Sequence, residues 1–477
     1  MLDSVAGYDE GGAPEMSVEE RRALHLKLFH ALLMEMIGHI LWSREEIDAH
    51  RTKAFRDLLR HAKTHSPWYA GRLDHIDAET ATLDDLKRVP VMTKHDLMEH
   101  WDEIVTVPGA SRGEAEAALR AMKDQFYIWG DHVLLSSGGT GGRPGLFLYD
   151  FDSLARMWAG MSRGFFASLI PLAMAGVEVP NGVRMATVGG ETSGHGSFVL
   201  SRVFSNPNNP TTNLSGWRTM PDNYEKLNAA QPHFIFTYPS VVAELCEAQA
   251  SGKLKIAPRI LYFGGEQLPQ AFYDMAKATW PEADILTCWG TSEGGGTFPC
   301  RYGGYHVCED LVVIEPVDGK GEAVAPGTLS SGIYFTNLYN KVLPIIRYAI
   351  DDVFEFDDQP CPCGAYHAKV RQVHGRWVDS FHYDGISILP VTLELAVLEQ
   401  PNILEYQIQQ TKRGAHFLYM SHQPVDEVRV KTRMLASFDS FGLKEAEVSI
   451  EKVDGFARTK AGKLKHFLPL EAPSPSS

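Results

Sequence analysis

Residues 134–145 read LLSSGGTGGRPG: two apolar residues, three hydroxyls, five glycines, a single arginine and a proline. Two familiar readings fail on spacing. A Walker loop needs Gly, four residues, then Gly-Lys-Ser/Thr, and counting from Gly138 or Gly139 lands on Arg143 or Pro144. A dinucleotide fingerprint begun at Gly139 and Gly141 meets Pro144 where a third Gly is required. Phosphate is still the ligand that the chemistry favours. Successive backbone N–H groups in a Gly-rich turn form a concave anion site, and Ser136, Ser137 and Thr140 add hydroxyl donors. A plain surface turn is the competing reading, and the rest of the chain has to decide between them.

At 477 residues the chain can bury a large core and is expected to hold more than one domain. Its 45 Lys+Arg against 60 Asp+Glu leave a net charge of −15, which argues against nonspecific nucleic-acid or anionic-membrane partners. The start, MLDSVAGYDEGG, lacks the basic and apolar regions of a secretory signal. The most apolar run, 164–175, contains Ser168 and Pro171 and is too short to span a bilayer. Six cysteines in a chain of this length do not make a disulfide scaffold. A soluble, cytoplasmic protein is expected.

Helical periodicity runs through 18–65, and Thr93 is placed to cap a short helix within VMTKHDLMEHW (91–101). From 134 to 350, short β-rich runs alternate with amphipathic stretches at 152–168, 221–230, 239–251 and 269–280. That alternation predicts an α/β architecture with substantial sheet. Beyond Arg376, a hairpin-like region around Gly385 is followed by 391–399, 403–411 and 425–440, a mixed α+β unit. The tail EAPSPSS is low-complexity and expected to fray.

Five further motifs follow in order: YFGGE (262–266), CWGTSEGG (288–295), RYAIDD (347–352), Gly375-Arg376 with Asp379, and RTKAGKLKH (458–466). In that order and spacing the chain resembles the adenylate-forming (ANL) superfamily, and within it the phenylacetate–CoA ligase-like branch. SPWYAGRL (66–73) and LKRVPVMTKHDL (86–97) are similar to that branch's N-terminal segment, and IIRYAIDD and CPCG to its later signature. The resemblance implies a large N-terminal adenylation domain of mixed sheets and helices (1–375) and a small mobile α+β lid domain (376–477) carrying the catalytic lysine.

Residue by residue, it implies that Ser136, Ser137, Gly138, Gly139, Thr140 and Gly141 hold ATP phosphates, with Thr140 catalytic. Gly264, Gly265 and Glu266 match the adenine-lining turn. Trp289 stands where the family usually stacks Tyr on adenine, and Gly290, Thr291 and Ser292 continue that motif. Glu293 matches the magnesium carboxylate, Asp352 the ribose carboxylate and Arg376 the hinge arginine. Lys463, directly after Gly462, matches the lysine that meets the reacting carboxylate and α-phosphate. Lys460 and Lys465 flank it and are expected to be solvated charges. The implied reaction is ATP-dependent formation of an acyl-adenylate from an aromatic or aryl-acetic-type acid, then transfer to CoA. At the hinge the position two after Arg376 is Val378, where many relatives have Asp or Lys, and FHYDGISILP follows. These departures put the acceptor in doubt, so amide formation to an amine and loading of a carrier protein stay open. A homodimer also stays open.

Cys300, His306, Cys361 and Cys363 form two clusters of thiolates and an imidazole, a donor set typical of a closed structural zinc site. Similar residues bind zinc in some relatives of the branch. Cys308 is the spare ligand, and free or core cysteines are the alternative; Cys246 and Cys288 are expected in the core. His195 in GGETSGHG, Phe236 and Tyr238 are candidate acyl-pocket residues, although core packing is the commoner use of such aromatics. Finally, Gly290-Thr291-Ser292-Glu293-Gly294 satisfies the G-x-S-x-G elbow of serine hydrolases. That motif needs a helix directly after Ser292, and GGGTFP is a poor helix start. A non-catalytic nucleotide sensor is disfavoured by Lys463 and Glu293.

Overall fold

The computed structural model describes residues 16–122, 126–137, 145–174, 183–189, 196–205, 211–215, 220–265, 268, 270–384, 386–388, 393, 396–397, 400, 402–457 and 464–470. Two helices open the chain, α1 (Val18–His39) and α2 (Arg44–His65). Each begins with a capping box, Ser17 with Glu20 and Ser43 with Glu46, so the first-turn N–H groups find partners before any tertiary contact forms. Thr93 caps the short helix Lys94–Glu99 in the same way, as its position in the sequence predicts.

Strands β1 (His132–Ser136) and β2 (Leu146–Tyr149) pair antiparallel on either side of the opening Gly-rich stretch. Helix α3 (Phe151–Met174) follows and packs on α1. It continues beyond the predicted end at 168. Then comes a parallel sheet of β3 (Met185–Gly189), β4 (Thr212–Ser215), β5 (Phe234–Thr237), β6 (Ile260–Phe263) and β7 (Asp284–Thr287), in the order β4-β3-β5-β6-β7. Helices α4 (Pro239–Ala250) and α5 (Gln270–Thr279) occupy two of the crossovers. Parallel strands buried by crossovers read as continuous apolar runs, which is why FIFT and ILYF alternate so little.

An antiparallel sheet carries the later motifs. It contains β8 (Gly295–Pro299), β9 (Tyr305–Val307), β11 (Asp352–Phe356) and β12 (Lys369–Arg376), with β10 (Tyr348–Ile350) leading into β11 from another sheet. Residues 381–467 have a core of their own, around Phe381, Tyr406, Ile408, Phe417, Met434 and Phe438. It is built from β13 (Glu405–Thr411), β14 (Gly414–Met420), helix α6 (Glu427–Ser440), β15 (Glu447–Lys452) and β16 (Phe467–Leu468). The predicted hairpin near Gly385 is present as paired strands Phe381–Tyr383 and Ile386–Ile388. Among the described residues no helix is long and apolar enough to cross a membrane.

Candidate active site and metal cluster

The neck of the Gly-rich stretch is closed by main chain and hydroxyl. The Ser137 N–H donates to the Gly145 carbonyl (3.0 Å), and the Gly145 N–H donates to the Ser137 hydroxyl (2.9 Å). Gly138, Gly139, Thr140 and Gly141 lie outside the described residues. The Ser292 hydroxyl reaches the Ser136 carbonyl at 3.4 Å, and the Tyr149 hydroxyl donates to the Ser292 carbonyl at 2.6 Å. These bonds bring the 290–294 turn against the neck, across 156 positions of sequence. The turn runs from the two-residue strand Gly290–Thr291 into β8, which is strand. No helix follows Ser292, so the nucleophile elbow fails on local geometry.

Glu293 sits in that turn with 8% of its surface exposed. Asn337 Nδ2 donates to its carbonyl (3.1 Å), Tyr339 to the Gly294 carbonyl (3.0 Å), and the Thr291 hydroxyl to the carboxylate itself. Burial raises the Glu293 pKa, while the Thr291 hydrogen bond and the charge of Arg376 pull against that shift. The Trp289 N–H and carbonyl both bond the Thr297 hydroxyl, at 2.9 and 2.6 Å. Its ring stands edge-on to Phe354, at 4.9 Å and 80°. Gly296, at φ +148, gives the ring its seat, since a Cβ there would overlap the indole.

Asp352 faces Arg376 in register across β11 and β12. Burial raises the Asp352 carboxyl, opposed mainly by Arg376. For Arg376, burial works against the charge, but Asp352, Asp379, Glu293 and Asp351 outweigh it and raise its pKa. Lys94 shares this field, a residue that sequence reasoning missed. Met92 bonds β10 and the residue before it (Met92 N–H to Arg347 O, 3.0 Å; Ala349 N–H to Met92 O, 2.9 Å), which brings the half-buried Lys94 beside the later motifs. Burial lowers its pKa, Glu293 opposes that, and Arg376 adds to it. One signal was available: a lysine in a helix's first turn opposes the dipole, so something else must hold it there.

At the ends of β5 and β6, the Gly264 N–H donates to the Thr237 carbonyl (3.3 Å), and Gly265 takes φ +77. Glu266 lies outside the described residues, as do His195 and Lys463. Phe236 stands at 74° to Tyr262 (5.6 Å) in an aromatic cluster with Phe165, Phe234 and Cys288. Burial lifts the Cys288 thiol to about 11. Tyr238 belongs to a different cluster, with Val241, Val242 and Leu245, so the pocket expectation for Tyr238 gives way to core packing. Lys465 also departs from expectation. Its ammonium stands 3.6 Å from Asp379 at the hinge, an ion pair rather than a free surface charge.

The ligand atoms of Cys300, His306, Cys361 and Cys363 all lie within 4.8 Å of one another. Cys300 Sγ and Cys361 Sγ are 3.5 Å apart, and Cys363 Sγ is 3.2 Å from His306 Nε2. Zn–S bonds of about 2.3 Å in a tetrahedron would place sulfurs about 3.7 Å apart, so the set fits zinc. His306 Nδ1 is 2.9 Å from the His367 carbonyl, an outer contact that would leave Nε2 for a metal. The contact with Cys300 lowers the Cys363 thiol, and the same contact pushes the Cys300 thiol up. Cys308 lies outside the set, buried beside Arg163.

Comparison with known proteins bears on the fold. No protein-family model matches the chain. It is 22% identical over 426 residues to a phenylacetate-coenzyme A ligase of Thermus thermophilus, covering 83% of each. A phenylacetate-coenzyme A ligase of Aromatoleum evansii is also 22% identical, over 78% of this chain and 80% of the other. Among solved structures, 2-hydroxyisobutyryl-CoA ligase in its postadenylation state overlaps 98% of this chain and 95% of its own, at 18% identity and a TM-score of 0.68. The chain has the fold of the adenylate-forming CoA ligases. The Ser136 neck and the Glu293 turn are joined by the Ser292–Ser136 contact, and Asp352 and Arg376 lie in register beside them.

Proposed function

We propose that the chain is an ATP-dependent acid–thiol ligase. It would activate a carboxylic acid as its acyl-adenylate and pass the acyl group to CoA. The observation that carries this reading is the joining of the Ser136 neck to the Glu293 turn, with Asp352 and Arg376 alongside. A carboxylate is a poor electrophile, and bringing it to ATP brings anions together. The Gly-rich stretch would cradle the phosphates, Arg376 and Lys94 would offset negative charge, and Lys463 would meet the α-phosphate as the acid attacks in line. Magnesium, when bound through Glu293, would neutralise phosphate charge. Asp352 would accept from the ribose hydroxyls and Trp289 would cover the adenine.

The aromatic cluster of Phe236, Tyr262 and Phe165 supports an aromatic or aryl-acetic acid. We take 1–375 as the adenylation domain and 376–477 as a lid that turns about Arg376–Asp379, with the cytoplasm as the place of work. The four-ligand cluster would hold a structural zinc, with about one zinc per chain by elemental analysis; a metal-free, fully stable chain would refute it. Pyrophosphate release across aromatic, heteroaromatic and fatty acids, with CoA or amines as acceptors, tests the whole reading. It predicts acid-dependent release and a CoA thioester. An amide product would move the chain to the amide ligases, and no acid dependence would end the proposal.

A further inference from the structure

Buried charge outside the nucleotide site concentrates around Asp310. Arg163 on α3, with 0% of its surface exposed, donates to both carboxylate oxygens of Asp310 at 2.7 and 2.6 Å. His39, the last residue of α1, places Nδ1 2.9 Å from the same carboxylate. A buried charge stripped of its partner is left uncompensated, so each member fixes the others.

The network does not end there. The Arg163 guanidinium lies 4.4 Å over the ring of Phe298, and Phe298 is stacked on His306 at 5.3 Å and 26°. His306 meets the His367 carbonyl (2.9 Å), and His367 Nε2 meets the His39 carbonyl (3.0 Å). A closed circuit therefore runs from Arg163 through Asp310, His39, His367, His306 and Phe298 back to Arg163. Phe298 is on β8, the strand that leaves the Glu293 turn and delivers Cys300. Helix α3 lies tight against that strand: a Cβ on Gly164 would stand 2.5 Å from the Pro299 carbonyl, and one on Gly295 would stand 3.0 Å from Met157 and Met161.

We propose that Arg163 is a positioning residue which, through this circuit, couples zinc occupancy at the Cys/His cluster to the conformation of the nucleotide turn 289–296. The inference rests on the zinc and nucleotide readings above. Two discrete packings of one rigid strand, each favoured by the state of the cluster, are enough to carry such coupling. Zinc then does more than staple a loop: a shift of β8 at its Cys300 end is passed on to Trp289 and Glu293 only while Arg163, held by Asp310 against Phe298, keeps the strand on α3.

The test is amide hydrogen exchange on the full chain, loaded with Zn(II) alone or stripped by a chelator, without nucleotide. In the parent, stripping should speed exchange about tenfold in both the cluster and the 289–296 turn, a common size for coupling between sites. In Arg163→Lys, which keeps the charge but loses the two-point grip, the cluster should still respond and the turn should not. Asp310→Asn should behave likewise; if it does not fold, Phe298→Leu breaks the circuit at another link. A parent turn indifferent to zinc, a chain that takes up no zinc, or an Arg163→Lys turn that responds as the parent does would each overturn the proposal. Because no nucleotide is present, failure of the ligase reading would appear separately, as zinc-responsive exchange in a chain that releases no pyrophosphate.

Discussion

Glu293 keeps 8% of its surface in contact with solvent, and burial raises its carboxyl above the ordinary 4.5. A raised acid pKa means that the folded chain retains a proton which the unfolded chain has lost. The associated stability is full below 4.5 and is lost as pH rises through the raised value. Magnesium needs the ionised form, so binding of Mg-ATP should release this proton, and affinity should climb with pH across that window. Calorimetry in buffers of different ionisation enthalpy measures the proton count, which Glu293→Gln should lower; binding without proton release would contradict the role. Lys94→Met should raise the KM for ATP roughly tenfold, as loss of one favourable charge contact on phosphate predicts. An unchanged KM would return Lys94 to the surface. The magnesium role of Glu293 is a proposal, but the residue itself was legible in the sequence through the family resemblance of CWGTSEGG. Lys94 was not, since the residues that give it meaning lie in β10 and beyond. Arg163 and Asp310, 147 positions apart, left no local trace at all.

At the scale of elements, the sequence reads best where the period is clean. Helices α1 to α5 and the strands β3, β5, β6 and β7 are legible in the sequence as amphipathic or short β-rich runs, whereas β4, the polar TNLS, leaves no such signal. Tyr238, for which core packing is the commoner expectation, directly follows β5 where the chain turns into α4, and it belongs to the cluster of Val241 and Leu245. The contact of α3 with β8 is another feature hidden from sequence, because it rests on an absence, the missing side chain of Gly164. Gly164→Ala should press its methyl group on the Pro299 carbonyl and destabilise the chain by about 1–3 kcal/mol, the usual size of overpacking. The midpoint of denaturant unfolding reads this directly. A midpoint equal to the parent's would mean that helix and strand can separate freely, which would also weaken the proposed coupling.

For the whole molecule, the separate core of 381–467 is the basis for treating the C-terminal part as a lid. Lys463→Ala should slow adenylation roughly a hundred- to a thousand-fold, the usual effect of removing one transition-state donor. The same variant should still transfer the acyl group from presynthesised acyl-adenylate, because the turned lid has carried Lys463 away. Lys465→Ala deletes the partner of Asp379 and should alter the balance of the two half-reactions, where loss of a solvated charge would alter neither. Equal loss in both half-reactions for Lys463→Ala would mean a stationary lysine. The proposed domain motion is written in no single stretch of sequence, since it would depend on which contacts at Arg376–Asp379 give way together.

The central claim is that this chain joins a carboxylate to the α-phosphorus of ATP, and one measurement follows the atoms. A substrate acid labelled with ¹⁸O in its carboxylate is turned over with ATP and CoA, and the AMP is weighed by mass spectrometry. If the acid attacks the α-phosphorus, one carboxylate oxygen stays with phosphorus when the thiol displaces it, so the AMP gains a single ¹⁸O. Unlabelled AMP, or ADP with labelled phosphate, would contradict an acyl-adenylate and with it the account of the site.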